Sequence, residues 1–429
     1  MIKLTAIFSI VLLLSCAGPR KITPIINEKE VQRIEATLSH DSMEGRKTFT
    51  PSIDKAAGFI ADEMRQAGLQ TYANSTSYLQ PMQMLQGAIT NSDIQIEDEL
   101  VPASSAICLA SNESVSFTEA DNYKIIRVHK GDNFRNAIRP LQNAKENMLV
   151  LIDTSFSRNF KILQQTKTTR FPLDYNQVLV LTGKVDATRF HINISQKSDT
   201  AKLANVAGLL PGKSRPNEYV IFAGHYDHLG FGRPDSTSDS LYNGANDDAS
   251  GITAMLMLAK YYKALKNNER SILFVAFTAE EMGGFGSKYF SEHINADSVV
   301  AMFNIEMIGT DSKWGMNSAY ITGYEKSDMP KILEKNLAGS PFKFYPDPYT
   351  EQQLFYRSDN ASLARKGVPA HTISTSKMDN EPHYHKPGDE IKTLDMKNMT
   401  EIIKAIALSA QSIINATDTP TRIDTSGLR

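Results

Sequence analysis

The sequence predicts an α/β fold: a central, mostly parallel sheet sandwiched by helices, with a β-rich subdomain inserted into it. Three observations carry that expectation. After residue 200, apolar β-branched runs of strand length alternate with helix-length amphipathic segments, the order that a parallel sheet with right-handed crossovers requires. Each run leads into a polar residue with chemistry to offer: "EYVIFAG" into His225, "SILFVAFTA" into Glu280 and Glu281, and "VVAMFNI" into Glu306. Between about 86 and 197 the texture shifts to short β-rich runs such as "YKIIRV", "NMLVLID" and "NQVLVLTG", with polar loops between them and no cluster of reactive side chains.

The bulk properties suit such a fold. A chain of 429 residues exceeds one small core, so two or three compact units are expected. A hydrophobic fraction of 41% and a charged fraction of 22% are ordinary for globular proteins and argue against wholesale disorder. Lys+Arg number 46 and Asp+Glu 48, a net charge of −2, which gives no electrostatic basis for a nucleic-acid partner. Oligomeric state is not written in the sequence.

Taken in order, the elements begin with a leader. Residues 1–16 combine a basic Lys3, an apolar run from Leu4 to Leu14 and small residues around Cys16, the layout of an export signal. The run is too short for a permanent membrane span. "LLSC" resembles the bacterial lipobox, which implies cleavage before Cys16, lipidation of that cysteine, and an exported lipoprotein held at the membrane of the cell envelope; the alternative is an ordinary signal peptide. Cys108 is then the remaining cysteine, and a single cysteine makes no internal disulfide. Residues 17–28 read as a tether.

A catalytic domain is expected over 29–85 and 198–416, interrupted by the insert at 86–197 and followed by a polar tail at 417–429. Ala56, Ile60, Met64 and Leu69 recur at helical spacing, so helices open the domain. "DDASGITAMLMLAKYYKALKNN" predicts a helix capped by Asp248 or Ser250, with Ile252, Met255, Leu256, Leu258 and Ala259 on its buried side. "GVPAHTIS" reads as a further buried strand, and Met399, Ile402, Ile403, Ile406 and Ala410 mark a closing helix. In open α/β sheets ligands bind beyond the carboxyl ends of the strands, and the polar clusters fall on that edge.

Five positions converge there: His225, Asp247 in "GANDDASG", Glu281 in "TAEEMGG", Glu306 in "NIEMIG" and His385 in "PHYHKPGDE". Each alone has a plain reading, as a structural histidine, a capping run or an acid favoured at a helix start. Together they form an imidazole and carboxylate set, which zinc accepts when cysteine is absent. HExxH, GxSxG and phosphate-loop patterns are missing from the sequence.

With "LSHDSMEGR" and "AAGFIADEMRQAGL" near the start, and "HYD", "GANDDASG", "AEE", "NIEMIG" and "YHKPGD" following in order, the chain resembles the co-catalytic zinc aminopeptidases of clan MH, the bacterial secreted leucine aminopeptidase-like enzymes. The resemblance covers about 30–85 and 200–415. It implies a zinc-exopeptidase type of fold, peptide substrates and two Zn²⁺ per chain, with His225 and Glu306 on one zinc, Glu281 and His385 on the other, and Asp247 bridging. It implies Glu280 as general base, and for Tyr384 either stabilisation of the tetrahedral oxyanion or simple packing. Asp227 stands where its carboxylate can accept the second imidazole N–H of His225. His228 and His383 are expected to be bystanders. Glu306 departs from the family, which usually carries aspartate in "N-x-D-M-I-G". Two other functions share this scaffold: a single-zinc glutaminyl cyclase-like acyltransferase, and a metal-free peptide-binding relative.

Overall fold

The computed structural model of the protein describes residues 22–73, 75–166 and 169–428; the leader and Cys16 lie outside them. The chain divides into two compact units, one running up to Leu79 and resuming at Val206, the other comprising Gln80–Asn205. The insert thus begins a few residues earlier and ends a few later than the change of sequence texture, because its first and last strands are long and unbroken (Leu79–Ile96 and Phe190–Leu210).

Helix α1 (Glu28–Leu38) opens the first unit, its N-terminus capped by Asn27, whose side chain accepts the Glu30 N–H at 3.1 Å. Helix α2 (Pro51–Gln66) starts on a proline, which suits the first helical turn. The entering strand is β1 (Leu79–Ile96).

In the second unit, β2 (Ala106–Leu109), β3 (Lys124–Val128), β4 (Met148–Asp153), helix α3 (Ser157–Thr166) and β5 (Gln177–Thr182) follow. Their sheet has the order β2-β5-β4-β3, parallel except at β2. Apolar clusters lie on both of its faces, one around Leu149, Leu151, Val178 and Val180, the other around Val150, Ile152, Phe160 and Leu179. This unit is therefore β-rich but not purely β.

The chain returns along β6 (Phe190–Leu210) and continues through β7 (Arg215–His225), α4 (Ser250–Leu265), β8 (Arg270–Phe277), α5 (Phe285–Glu292), β9 (Val299–Ile305), β10 (Ser318–Ile321), β11 (Lys343–Pro346), β12 (Ala370–Ser374) and α6 (Met396–Ser409). The sheet order is β11-β10-β12-β9-β7-β8-β6. Its centre, β12-β9-β7-β8, is parallel throughout, and antiparallel pairs at β10/β12 and β6/β8 flank it.

Side chains alternate across the sheet with the period of two that strands impose. Val220 and Phe222 of β7, Ile272 and Phe274 of β8, and Phe303 of β9 face one side with α1, α2, α4 and α6. Ile221, Ala223, Leu273, Val275 and Met302 face the other, with Phe290 of α5. Phe222 is central: its ring lies 4.9 Å from Phe303, 5.7 Å from Tyr262 and 5.9 Å from Phe274. Truncating such a side chain to alanine typically costs about 3–5 kcal/mol. Helices on both faces explain why the central strands are apolar throughout rather than alternating.

Two expected flanks are ordered into this core. Ile22 and Ile26, assigned to a tether, are buried among α1 and its neighbours. Ile423, assigned to a polar tail, is buried against Val299 and Leu363, and Arg422 donates to the carbonyls of Ala296, Val299 and Lys366. In both cases a few apolar residues inside a polar string do the anchoring, too sparse a signal to show a period. Among the described residues no helix is long and apolar enough to cross a membrane.

Candidate metal centre

Parallel register sets the site. His225 pairs with Phe277, Ala223 with Asn304, and Ile305 with Ile373, so the residues following β7, β8 and β9 emerge from one edge. His225 closes β7; Glu280 and Glu281 follow β8; Glu306 follows β9; Asp247 precedes α4; and His385 comes from the loop after β12. Asp247, Glu280, Glu306, Tyr384 and His385 line one cavity at that edge, with Arg357 and Ser358.

The loop "GANDDASG" is held by residues whose function is to bind backbone. Asp248 is fully buried and accepts three N–H groups: His225 and Met307 at 3.1 Å, and Gly251 at 3.1 Å. It thereby ties the ends of β7 and β9 to the start of α4, and its bond from Gly251 in the first turn is the side-chain cap expected of Asp248. Gly251 makes this approach possible, since a Cβ there would lie 2.1 Å from the Ile305 carbonyl oxygen and 2.5 Å from the Asp248 carboxylate. Asp389 accepts the N–H of Asn246 at 2.8 Å and of Asp247 at 3.0 Å. Arg46, also buried, donates to the carbonyls of Tyr226, Leu38, Asn243 and Gly244 at 2.6–2.8 Å, joining the two loops that carry His225 and Asp247.

The donor atoms then meet. Asp247 Oδ1 lies 3.1 Å from His225 Nε2, and Asp247 Oδ2 lies 3.3 Å from His385 Nε2. Glu281 Oε2 is 3.2 Å from the same His385 nitrogen. His225 Nε2 is buried and, despite its closeness to Asp247, is not in hydrogen-bond geometry. Donors bonded at 2.0–2.1 Å to one tetrahedral zinc stand about 3.3 Å apart, so these spacings fit a metal set. The His225 Nδ1–H donates to the carbonyl oxygen of Asp227 at 3.1 Å, which leaves Nε2 as the atom with a lone pair to give.

Here one expectation is corrected. The His225 ring is oriented by the Asp227 carbonyl, not by its carboxylate, whose nearer oxygen is 3.8 Å away. That carboxylate instead accepts the Glu280 N–H at 3.1 Å and the Glu281 N–H at 3.4 Å. The strand end at His225 aims the ring at the next turn's carbonyl, and the Asp227 side chain turns under the neighbouring loop.

Glu306 is gripped by its surroundings: Ser358 donates to its Oε2, and Asn304 Nδ2 reaches the same oxygen at 3.5 Å while donating to Ser358 Oγ at 2.6 Å. Tyr384 stacks on His385 with ring centres 4.0 Å apart, and its hydroxyl oxygen accepts from Arg357 at 3.5 Å. His383 stays outside the cluster, its ring against Gly388. His228, expected to be a bystander, is inside it: His228, Asp247 and Glu281 form a set of ligand atoms all within 4.8 Å of one another.

The electrostatics follow from so many buried acids. Burial raises the Glu280 carboxyl well above its ordinary range, with Glu306, Asp359 and Glu281 adding to the effect. Burial likewise pushes Glu306 and Asp227 up to about 7. For His385 burial opposes the charge, but contact with Asp247 and Glu281 outweighs it and raises the imidazole to about 10. The cluster draws in positive charge, and a divalent cation among these oxygen and imidazole donors meets that demand.

Comparison with known proteins gives a consistent picture. Residues 205–410 match the family described as Peptidase family M28. The chain is 24% identical over 296 residues to a probable zinc metalloprotease of Pyrenophora tritici-repentis, covering 59% of this chain and 64% of that protein. It is 25% identical over 232 residues to aminopeptidase YwaD of Bacillus subtilis, covering 48% and 45%. The chain therefore spans less than two thirds of these curated relatives. Among solved structures, an aminopeptidase from Aneurinibacillus sp. strain AM-1 superposes with a TM-score of 0.55 at 18% identity, covering 96% of this chain and 98% of that one. BSAP, a zinc aminopeptidase from Bacillus subtilis, gives 0.54 at 15%, covering 92% and 97%. At these identities the structural likeness concerns the fold.

Proposed function

We propose a function from one premise: residues 205–410 match peptidase family M28, a family of clan MH. The protein is a zinc-dependent aminopeptidase that removes N-terminal residues from peptides at a two-zinc centre. The observation that carries this reading is the division of Asp247, one carboxylate oxygen toward His225 and the other toward His385, as a residue shared by two metals about 3.5–4 Å apart requires. His225 and Glu306 would hold one zinc, Glu281 and His385 the other.

When bound, zinc supplies a Lewis acid and brings the pKa of water toward neutrality. The chain supplies the rest. Glu280, fixed at its N–H by Asp227, accepts the proton of the attacking water and passes it to the departing amine. Tyr384, oriented by His385 and Arg357, offers its hydroxyl proton to the oxygen on which charge develops. The "LLSC" leader extends the proposal to an exported protein anchored through lipidated Cys16.

Metal analysis of the purified protein, with an aminoacyl-nitroanilide panel, tests the reading. Two zincs and aminopeptidase turnover are expected. One zinc in fully active protein would instead favour the cyclase reaction, and a metal-free, inactive protein the binding relative.

A further inference from the structure

His228 takes no part in the mechanism above, yet its ring exposes no surface. Its backbone N–H donates to the Arg46 carbonyl at 3.3 Å, next to a parallel bridge between Lys47 and His228. The ring lies against Gly244, whose φ is +60°; a Cβ there would sit 2.6 Å from His228 Cγ and Cδ2, so glycine is what leaves the ring its place. Held this way, His228 Nδ1 is 2.8 Å from Glu281 Oε1, while the other Glu281 oxygen, Oε2, is 3.2 Å from His385 Nε2.

The distances separate the two histidines. At 3.2 and 3.3 Å from Glu281 and Asp247, His385 stands at the spacing of co-ligands on one zinc, about 3.3 Å. His228 stands at hydrogen-bond length from Glu281 and 4.0 Å from Asp247 Oδ2. An ionised carboxylate only accepts, so the proton of this bond sits on Nδ1.

We propose that His228 is a positioning residue for the zinc held by Glu281 and His385: its Nδ1–H fixes Glu281 Oε1 and leaves Oε2 as the single oxygen that Glu281 presents to the metal. The inference rests on the metallopeptidase reading. It gives the second histidine of "HYDHLG" a task that His225 cannot perform, since His225 faces the opposite oxygen of Asp247. Hydrogen-bonding partners of this kind change metal affinity by about 10–100-fold.

The test compares wild type, His228→Ala and His228→Asn by zinc competition against a chelator of known affinity, with circular dichroism of the metal-free proteins. Asparagine places an amide N–H close to where Nδ1 stands. Wild type is expected to bind two zincs; the alanine variant to hold one of them about 10–100-fold more weakly with the other unchanged; and the asparagine variant to recover most of that loss. The visible spectrum of the cobalt-substituted asparagine variant is expected to coincide with wild type, because no ligand has been removed. Unchanged affinity at both sites in the alanine variant overturns the proposal, and an asparagine variant as weak as alanine with an altered cobalt spectrum makes His228 a direct ligand instead. Should alanine not fold, His228→Gln, whose amide is displaced by one bond, is expected to lose the second zinc where asparagine keeps it. A wild type that binds no zinc defeats the metallopeptidase reading itself.

Discussion

The Asp227 carboxylate accepts the backbone N–H of Glu280 at 3.1 Å while the Asp227 carbonyl receives the His225 imidazole N–H, also at 3.1 Å. One residue therefore orients the His225 ring through its main chain and, through its side chain, Glu280, the general base of the proposed mechanism. In Asp227→Asn the main-chain contact survives, but the amide NH₂ opposes the N–H of Glu280 or Glu281. The expected result is a fall in kcat of about 10–100-fold with the His225-side zinc retained, the scale on which such outer contacts act. Steady-state kinetics with metal analysis checks it; loss of that zinc would mean the carboxylate orients the ring after all.

Glu280→Gln removes the proposed proton acceptor and leaves every metal-facing donor in place. Both zincs should remain, and turnover should drop by about 10²–10⁴-fold. Near wild-type turnover would take Glu280 out of the mechanism.

Glu306 is one methylene longer than the aspartate usual in the family, about 1.3 Å of extra reach, and Ser358 with Asn304 holds its carboxylate. Ser358→Ala frees that carboxylate, and faster exchange of the His225-side zinc is expected, read by isotope exchange. Glu306→Asp is expected to preserve activity. A Ser358→Ala variant with unaltered exchange at both sites would show that the grip is incidental.

Stability should carry a pH signature from a carboxyl outside the metal-facing set. Glu35 is buried, accepts from Thr253 Oγ1 at 2.8 Å, and is pushed by burial from an ordinary 4.5 to about 8. Its folded value exceeds its unfolded one, so its contribution is full below pH 4.5 and is lost as pH rises to about 8, with a slope of up to about 1.4 kcal/mol per pH unit. Glu35→Gln should therefore gain in Tm relative to wild type between pH 5 and 8.5. Calorimetric Tm profiles that run parallel for the two proteins would exclude Glu35 as the source.

Cys16→Ala should release the protein from the membrane fraction with peptidase activity intact. Continued sedimentation with membranes would point to an uncleaved signal helix.

The strand edge was legible because an apolar run followed by His225, by Glu280 and Glu281, or by Glu306 marks a buried strand and its exit in one reading. The insert was legible as texture, and its limits were not, since Leu79–Ile96 and Phe190–Leu210 cross them without a break. Asp389, His228 and, in its hold on the two strand ends, Asp248 escaped for a shared reason. Each is a polar loop residue whose importance comes from burial and from backbone groups distant in sequence, and neither periodicity nor local spacing reports burial of that kind. Arg46 sits within "LSHDSMEGR", which marked the resemblance without disclosing that the guanidinium joins two loops.

Arg46 reaches the carbonyls of Tyr226 and Gly244, 180 and 198 positions further along the chain, with the whole second unit between. Contacts of such sequence separation form late, after the large loop has closed. The pocket that receives the metal is then a product of complete folding rather than of any early local structure. Under the proposed export, a chain crossing the membrane unfolded would have no competent metal site to fill prematurely; metal capture would then be the last step of maturation, and refolding rates should be the same whether or not zinc is present.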